Sequence, residues 1–417
     1  MISMMPVRFF SLQPKFQEST FFRSPLLRYC ITFLLFAVAD AVMAYTVPYY
    51  LENALPNYFS MGVLLASSSI AGILFDIILN KYLNKQSFLF FLKFAFTAAL
   101  IFPLTFLILP PIIPIFLLSM TIWGIYYELI SFSHFHFIHL TDRRKHAQSW
   151  GIISIFKSSA YVIGPLLAGS LYAISGKLPF LAAILLILVG FLFLIAYQKT
   201  LKGKPGELSG LGIKTKLDFG QELHNLKQIM SKVWPIWLFN FAIFLVDAAF
   251  WSIGVLFAQE GDFKGLLLSA YMLPSLFVGL SADKASRPFG KKRIALLAGL
   301  IAGTLIVLMG FLSANLVLLT VVFLSSIFGA LACNEIIASF EDYFSRLRDL
   351  GDEMVTIERT SENLAYIIGP VIGGLLASIL GFQKTFSVFG GFLVFTAILA
   401  FVALPRKIKM PQTKLFH

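Results

Sequence analysis

Twelve apolar runs of about 18 to 25 residues follow one another along the chain. Each is long enough to cross a hydrocarbon core about 30 Å thick as a helix. They fall near 28–50, 59–79, 87–108, 112–139, 150–174 and 178–198, then near 234–258, 264–281, 292–313, 315–340, 354–380 and 383–404. The connections are short and polar, with one exception at 199–233. That stretch opens as a Lys/Gly/Pro-rich linker, Lys199 to Gly206. It continues with Leu217, Phe219, Leu223, Leu226 and Met230 set among Lys and Gln. The pattern predicts a basic amphipathic helix on the cytoplasmic membrane surface. The pattern as a whole predicts an all-α membrane protein made of two six-helix bundles. Its parts are a cytoplasmic leader at 1–27, a first bundle at 28–198, a cytoplasmic linker at 199–233, a second bundle at 234–405 and a cytoplasmic tail at 406–417.

The positive charges orient these spans. With both termini inside, the outward loops hold only Lys177, Lys264 and Lys384, 3 of the 33 Lys and Arg residues. The inward loops hold Lys81 and Lys85, Arg143 to Lys145, the run from Lys199 to Lys232, Lys284 to Arg293, and Arg346 and Arg348. A missed or extra span would scramble this bias, because cytoplasmic loops collect Lys and Arg. The bias predicts an integral protein of the plasma (bacterial inner) membrane with both ends cytoplasmic.

Composition narrows the function. The chain is 58% hydrophobic and 13% charged, with a mean hydropathy of +0.84, against about 25% charged residues in soluble domains. A net charge of +12 would suit nucleic acid, but no polar domain is present to carry a basic patch. The two cysteines, Cys30 and Cys333, sit in apolar runs and predict neither a metal cluster nor a disulfide framework. The first 27 residues scatter Arg8, Lys15, Glu18 and Arg23 among aromatics, which does not read as a signal peptide.

Residues recur between the halves at nearly constant spacing. Asp247 follows Asp40 by 207 residues, Gly279 and Asp283 follow Gly72 and Asp76 by 207, and Glu335 follows Glu128 by 207. Ala160-Tyr-Val-Ile-Gly164-Pro165 returns as Ala365-Tyr-Ile-Ile-Gly369-Pro370 at a spacing of 205. Two six-helix halves in parallel order are a recognised plan of secondary transporters.

At these residues the chain, from about 28 to 406, resembles the major facilitator superfamily. Gly279-Leu-Ser-Ala-Asp283-Lys284, with Arg287 and Gly290-Lys291-Lys292-Arg293, is similar to that family's loop between helices 8 and 9, stretched by a few residues. Gly72 and Asp76 remain in the first-half counterpart. An Asp at a helix end facing basic residues beyond it can form a cytoplasmic charge latch that breaks and re-forms as the halves rock. Helix 5, with Gly151 and then Ala160, Gly164, Pro165, Ala168 and Gly169, resembles the family's antiporter motif with Ala in place of two glycines. Small residues allow close helix packing, and the same Gly-Pro pair in helix 11 fits packing equally well. Family drug–proton antiporters usually carry an Arg in helix 4; here helix 4 presents Glu128 instead.

The resemblance implies that helices 1, 4, 7 and 10 line a central cavity. Each carries one mid-helix carboxylate: Asp40, Glu128, Asp247 and Glu335. An ionised carboxylate at mid-bilayer costs about 2.5–3.5 kcal/mol on insertion scales, so these groups are expected to face water, pair with cations or carry protons. A carboxylate withdrawn from water holds its proton more tightly, which makes the proton the expected coupling ion, with no other cofactor. Asn240, Asp247 and Trp251 share one face of helix 7. Lys157 corresponds to Glu362 and Tyr161 to Tyr366, with Arg359 one turn before Glu362. Lys157 is expected to pair with Glu128 or Asp40, and Lys157 or Arg359 to meet an anionic substrate. Fixed ion pairs clamping helices are the other reading of these charges. His134, His136 and His139 do not share one helix face, so they predict no metal site. Trp123, Tyr126 and Tyr127 read as packing or interface aromatics.

The expectation is a monomeric secondary transporter, a proton-coupled exporter moving a small molecule by alternating access. A proton-coupled uptake symporter is the alternative. A polytopic membrane enzyme is more distant, because no Asp-rich or His/Asp catalytic set stands in a cytoplasmic loop. A sensor or assembly factor would need a signalling domain, and the longest polar segment, about 35 residues, is too short for one.

Overall fold

A computed structural model describes residues 25–83, 86–140, 146–201, 219–260, 263–279, 289–312, 316–347 and 351–403. The helices are α1 (Pro25–Ala54), α2 (Tyr58–Ile78), α3 (Phe88–Ile108), α4 (Ile113–His139), α5 (His146–Ile174) and α6 (Leu178–Leu201), then α7 (Phe219–Glu260), α8 (Leu266–Met272), α9 (Lys291–Met309), α10 (Leu316–Leu347), α11 (Gly351–Leu380) and α12 (Phe382–Ala403). Eleven helices among the described residues are long and apolar enough to cross a membrane. The remaining one, α8, continues past a short turn as an apolar stretch, Leu266–Gly279.

Local chemistry sets the helix ends. Asn57 caps α2, its side chain accepting the Ser60 backbone N–H at 2.8 Å. Ser87 caps α3 by accepting the Phe90 N–H at 3.3 Å, and a proline occupies the first turn of α4. The sharp connection from α11 to α12 turns on Gly381 at φ +79°, a conformation that costs a residue with a Cβ. The amphipathic stretch from Phe219 is continuous with the seventh span, so α7 runs 42 residues to Glu260. The remainder of the linker at 202–218, most of the leader and the tail from residue 404 lie outside the described residues.

The packing repeats with the sequence. α1 packs on α5 and α6, α3 on α4 and α6, and α2 on α4; in the second bundle α7 packs on α11 and α12, α9 on α10 and α12, and α8 on α10. The bundles meet through α2 against α11, α5 against α8, and α1 against α7. Each of these contacts is related to another, or to itself, by a six-helix shift, so the two halves are pseudo-equivalent. α1 and α7 are the inner helices: 83% and 78% of their apolar windows are buried, against 33% for α2 and α6. Leu185, Leu192 and Phe193 of α6 and Ile398 and Phe401 of α12 stay exposed. An apolar flank of this extent is one that lipid covers.

Candidate functional site

Among the described residues the bundles come into close backbone contact at the end bearing the α1–α2 and α7–α8 connections. A Cβ on Gly265 would fall 1.8 Å from the Pro165 carbonyl oxygen, and one on Gly62 would fall 2.1 Å from that of Pro370. Gly374 lies equally close to the Tyr58 carbonyl. Ser269 Oγ donates to the Val162 carbonyl at 2.7 Å, and Gln259 Nε2 donates to Tyr45 Oη at 2.8 Å. Gly164 and Gly369 instead face Ala41 and Ala248 inside their own bundles. The glycine of each Gly-Pro pair therefore packs α5 on α1 or α11 on α7. The proline carbonyl of each pair meets the opposite bundle.

Deeper in, the two inner-helix aspartates sit in matched cradles. Asp40 Oδ1 accepts Tyr126 O–H at 2.6 Å and Trp123 Nε1–H at 3.1 Å, and its Oδ2 accepts Tyr161 O–H at 2.5 Å. Asp247 Oδ1 accepts Tyr271 O–H at 2.8 Å, and its Oδ2 accepts Tyr366 O–H. Tyr161 and Tyr366 occupy equivalent positions on α5 and α11, one in each bundle. Trp123 and Tyr126 are therefore aspartate ligands rather than interface packing, and Tyr271 is a member that sequence reasoning did not single out. An Asp whose counterpart falls on the other inner helix, with a Tyr at equivalent places on α5 and α11, was the available signal. Tyr161 of the first cradle also reaches the second bundle, its ring meeting Trp251, one turn beyond Asp247 on α7, edge-on with centres 5.0 Å apart.

One turn from each cradle tyrosine the pseudo-symmetry exchanges a cation for an anion, Lys157 on α5 for Glu362 on α11. Lys157 does not pair with Glu128 or Asp40. Its Nζ donates to Tyr127 Oη at 3.2 Å and lies 5.3 Å from the centre of that ring and 6.0 Å from that of Tyr161. Lys157 and Arg359 are open to solvent, and Glu128 and Glu362 partly so. Glu362 lies within Coulombic reach of Lys157 and Arg359, and Glu128 within reach of Asp76, Arg359 and Glu362. Side chains from both bundles thus face one another across a partly exposed cleft among α4, α5 and α11, and charges within apolar spans are tolerated where they face such an opening.

Two predicted members do not reach this cleft. Asn240 is fully buried and donates from Nδ2 to Ser361 Oγ at 2.7 Å, pinning α7 to α11. Glu335 is 2% exposed within α10. The histidines diverge: His134 Nδ1 lies 2.7 Å from Tyr29 Oη, His136 packs on Phe91, and His139 Nδ1 lies 2.9 Å from the Phe135 carbonyl.

At the opposite end from the bundle contact, Gly72 leaves room for Glu128, whose Oε1 lies 3.4 Å from where a Cβ would stand. Gly279 faces Asn334 in the equivalent place. Asp283 and Arg287 lie outside the described residues. Lys291 Nζ reaches both carboxylate oxygens of Asp342 at 3.0 Å, tying α9 to α10. Lys292 and Arg293 follow it in the first turn of α9. The Lys291–Asp342 pair is 35% and 48% exposed, so Asp342→Asn is expected to change stability by less than about 1 kcal/mol. Thermal unfolding at low and high salt checks this.

Residues 236–415 match the family model described as Major Facilitator Superfamily. No curated protein matches the chain. Three solved structures are similar over nearly their whole length. The nucleoside transporter NupG has TM-score 0.71 at 14% identity, covering 91% of this chain and 98% of its own. A bacterial homolog of the human lysosomal transporter Spinster, inward-facing and unoccupied, has TM-score 0.67 at 14% identity, covering 91% and 96%. The human organic anion transporter MFSD10 has TM-score 0.63 at 16% identity, covering 90% and 99%. At these identities the likeness is one of fold.

Proposed function

We propose that the chain is a Major Facilitator Superfamily transporter, a reading supported by the match of its second half and the fold of the whole, and that it is a proton-coupled exporter of a small molecule, working by alternating access. The observation that carries this is the pair Glu128 and Glu362. The two come from opposite bundles, open partly to the same cleft, and stand within reach of a cation that could displace or replace a proton. Among the described residues neither carboxylate receives a hydrogen bond, whereas Asp40 and Asp247 are held by O–H and N–H donors. The glutamates are therefore assigned the proton and the aspartates the geometry. Contact between the bundles at the α1–α2 end leaves the cleft to open toward the end rich in Lys and Arg, the cytoplasmic side by the charge bias. This is the state in which an exporter loads.

The test begins with a thermal-shift screen for compounds that stabilise the purified protein. A stabilising compound is then followed in inside-out vesicles with an acid lumen. The expected result is its accumulation in the lumen with loss of lumenal protons. Glu128→Gln and Glu362→Gln should retain binding and lose coupling. Substrate leaving the lumen together with protons would identify uptake symport instead. Transport that ignores the proton gradient would sink the proposal.

A further inference from the structure

The proposed transport route leaves the substrate's chemistry open, and resting on that reading we infer that the substrate carries an anionic group which docks on Lys157. At this depth the two inner-helix aspartates have a constraint that Lys157 lacks. Asp40 already accepts three donors and Asp247 two. A carboxylate offers about four acceptor positions, and the donors here are a buried tyrosine, three half-buried ones and an indole. A substrate cation would have to break these cradles to reach either aspartate. Lys157 has the opposite situation. Its ammonium carries three donors, one of which goes to the neutral oxygen of Tyr127 at 3.2 Å. It makes no ion pair among the described residues. The faces of Tyr127 and Tyr161 support the ammonium without neutralising it. Two N–H groups remain for a ligand, in a position exposed to solvent yet set between α4, α5 and α11.

The surroundings also describe the rest of the molecule. Tyr127 and Tyr161 place two rings beside the ammonium, and Trp251 of the second bundle extends the aromatic wall beyond Tyr161. Such a wall suits a flat apolar body attached to the anionic group. Arg359, also exposed and on the opposite bundle, supplies a second cation within reach of Glu362. An anion on Lys157 therefore stands across the cleft from the carboxylate proposed to exchange the proton.

The experiment is a thermal-shift titration of the purified full-length protein with charge-matched aromatic probes. Benzoate, benzenesulfonate and phenylphosphonate provide the anions, benzylamine the cation and benzyl alcohol the neutral control. The expected result is dose-dependent stabilisation by at least one anion and by neither control. Lys157→Gln should weaken that binding ten-fold to about a hundred-fold, the usual worth of a charge-assisted hydrogen bond. Lys157→Arg should restore most of it. Stabilisation by benzylamine or benzyl alcohol alone, silence of all three anions, or equal anion affinity in Lys157→Gln would each overturn the inference. The comparison among probes on the unaltered protein stands even if a variant fails to fold. No proton gradient enters this measurement. Anion binding without gradient-driven flux would refute the coupling and leave this inference intact. Proton-driven extrusion of a compound that binds Lys157→Gln normally would do the reverse.

Discussion

Gly265→Ala and Gly62→Ala are expected to slow transport about five- to 140-fold each, and together to abolish it. The added methyl group would lie 1.8 Å and 2.1 Å from the carbonyl oxygens of Pro165 and Pro370. Neither oxygen can swing aside, since each belongs to the backbone of a spanning helix. Overpacking of a tight contact costs about 1–3 kcal/mol, and each 1.4 kcal/mol shifts an equilibrium ten-fold. The strain falls only on the state in which the bundles touch at this end. Its relief is separation of the bundles, so the variants should populate the conformation open on that side rather than unfold. Spin labels at Asn53 and Glu260, exposed near the same end, should report a longer distance in Gly265→Ala than in the parent protein, with both native cysteines replaced. Gly151→Ala and Gly329→Ala, where a Cβ meets nothing within 4 Å, serve as controls. Normal turnover with an unchanged label distance in Gly265→Ala would mean that the two halves do not need this contact.

The expected symmetry of that effect shows what could be read from the chain before its coordinates. The spacing of 205 between the two Gly-Pro motifs predicted that both belong to equivalent helices, and they do. It could not say that each proline carbonyl meets a glycine of the opposite bundle, because Gly62 and Gly265 lie in stretches with no shared motif around them. The carboxylates behave similarly. Hydropathy forces Asp40 and Asp247 inward, since lipid excludes them, and inward is where they lie. What they meet there depends on helix rotation and on partners 83 to 121 residues away for Asp40, which no local pattern encodes. Trp123 and Tyr126 look like interface aromatics in sequence because an aromatic ring with a polar edge suits both places. Lys157 illustrates the limit from the other side. Its charge suggested a carboxylate partner, but the nearest acceptor is a phenol. The unspent charge is the feature that bears on function.

The aspartate cradles yield the largest expected loss of stability. Asp40→Ala removes the acceptor for Tyr126, Tyr161 and Trp123 at a site 7% exposed. A buried donor left without a partner costs about 1–3 kcal/mol, and three in one network are not additive. A loss of about 3–5 kcal/mol is expected, at the upper end for single substitutions. Asp247→Ala should cost less, because two donors are orphaned and the site is only half-buried. Asp40→Asn should cost less again. The tyrosine hydroxyls can turn and accept from the new amide, whereas the indole of Trp123 can only donate, and the amide oxygen remains to receive it. Apparent melting temperatures in one detergent should therefore fall in the order Asp40→Asn, Asp247→Ala, Asp40→Ala, and Tyr161→Phe should lower stability less than Asp40→Ala. Asp40→Ala melting with the parent protein would show that the hydroxyls are satisfied elsewhere, and that Asp40 is a working group of the cleft rather than its frame. The same variants separate frame from function. A protein that keeps proton coupling in Asp40→Asn and loses it in Glu362→Gln has its proton on the glutamate, with the aspartate holding α1 to α4 and α5 around it.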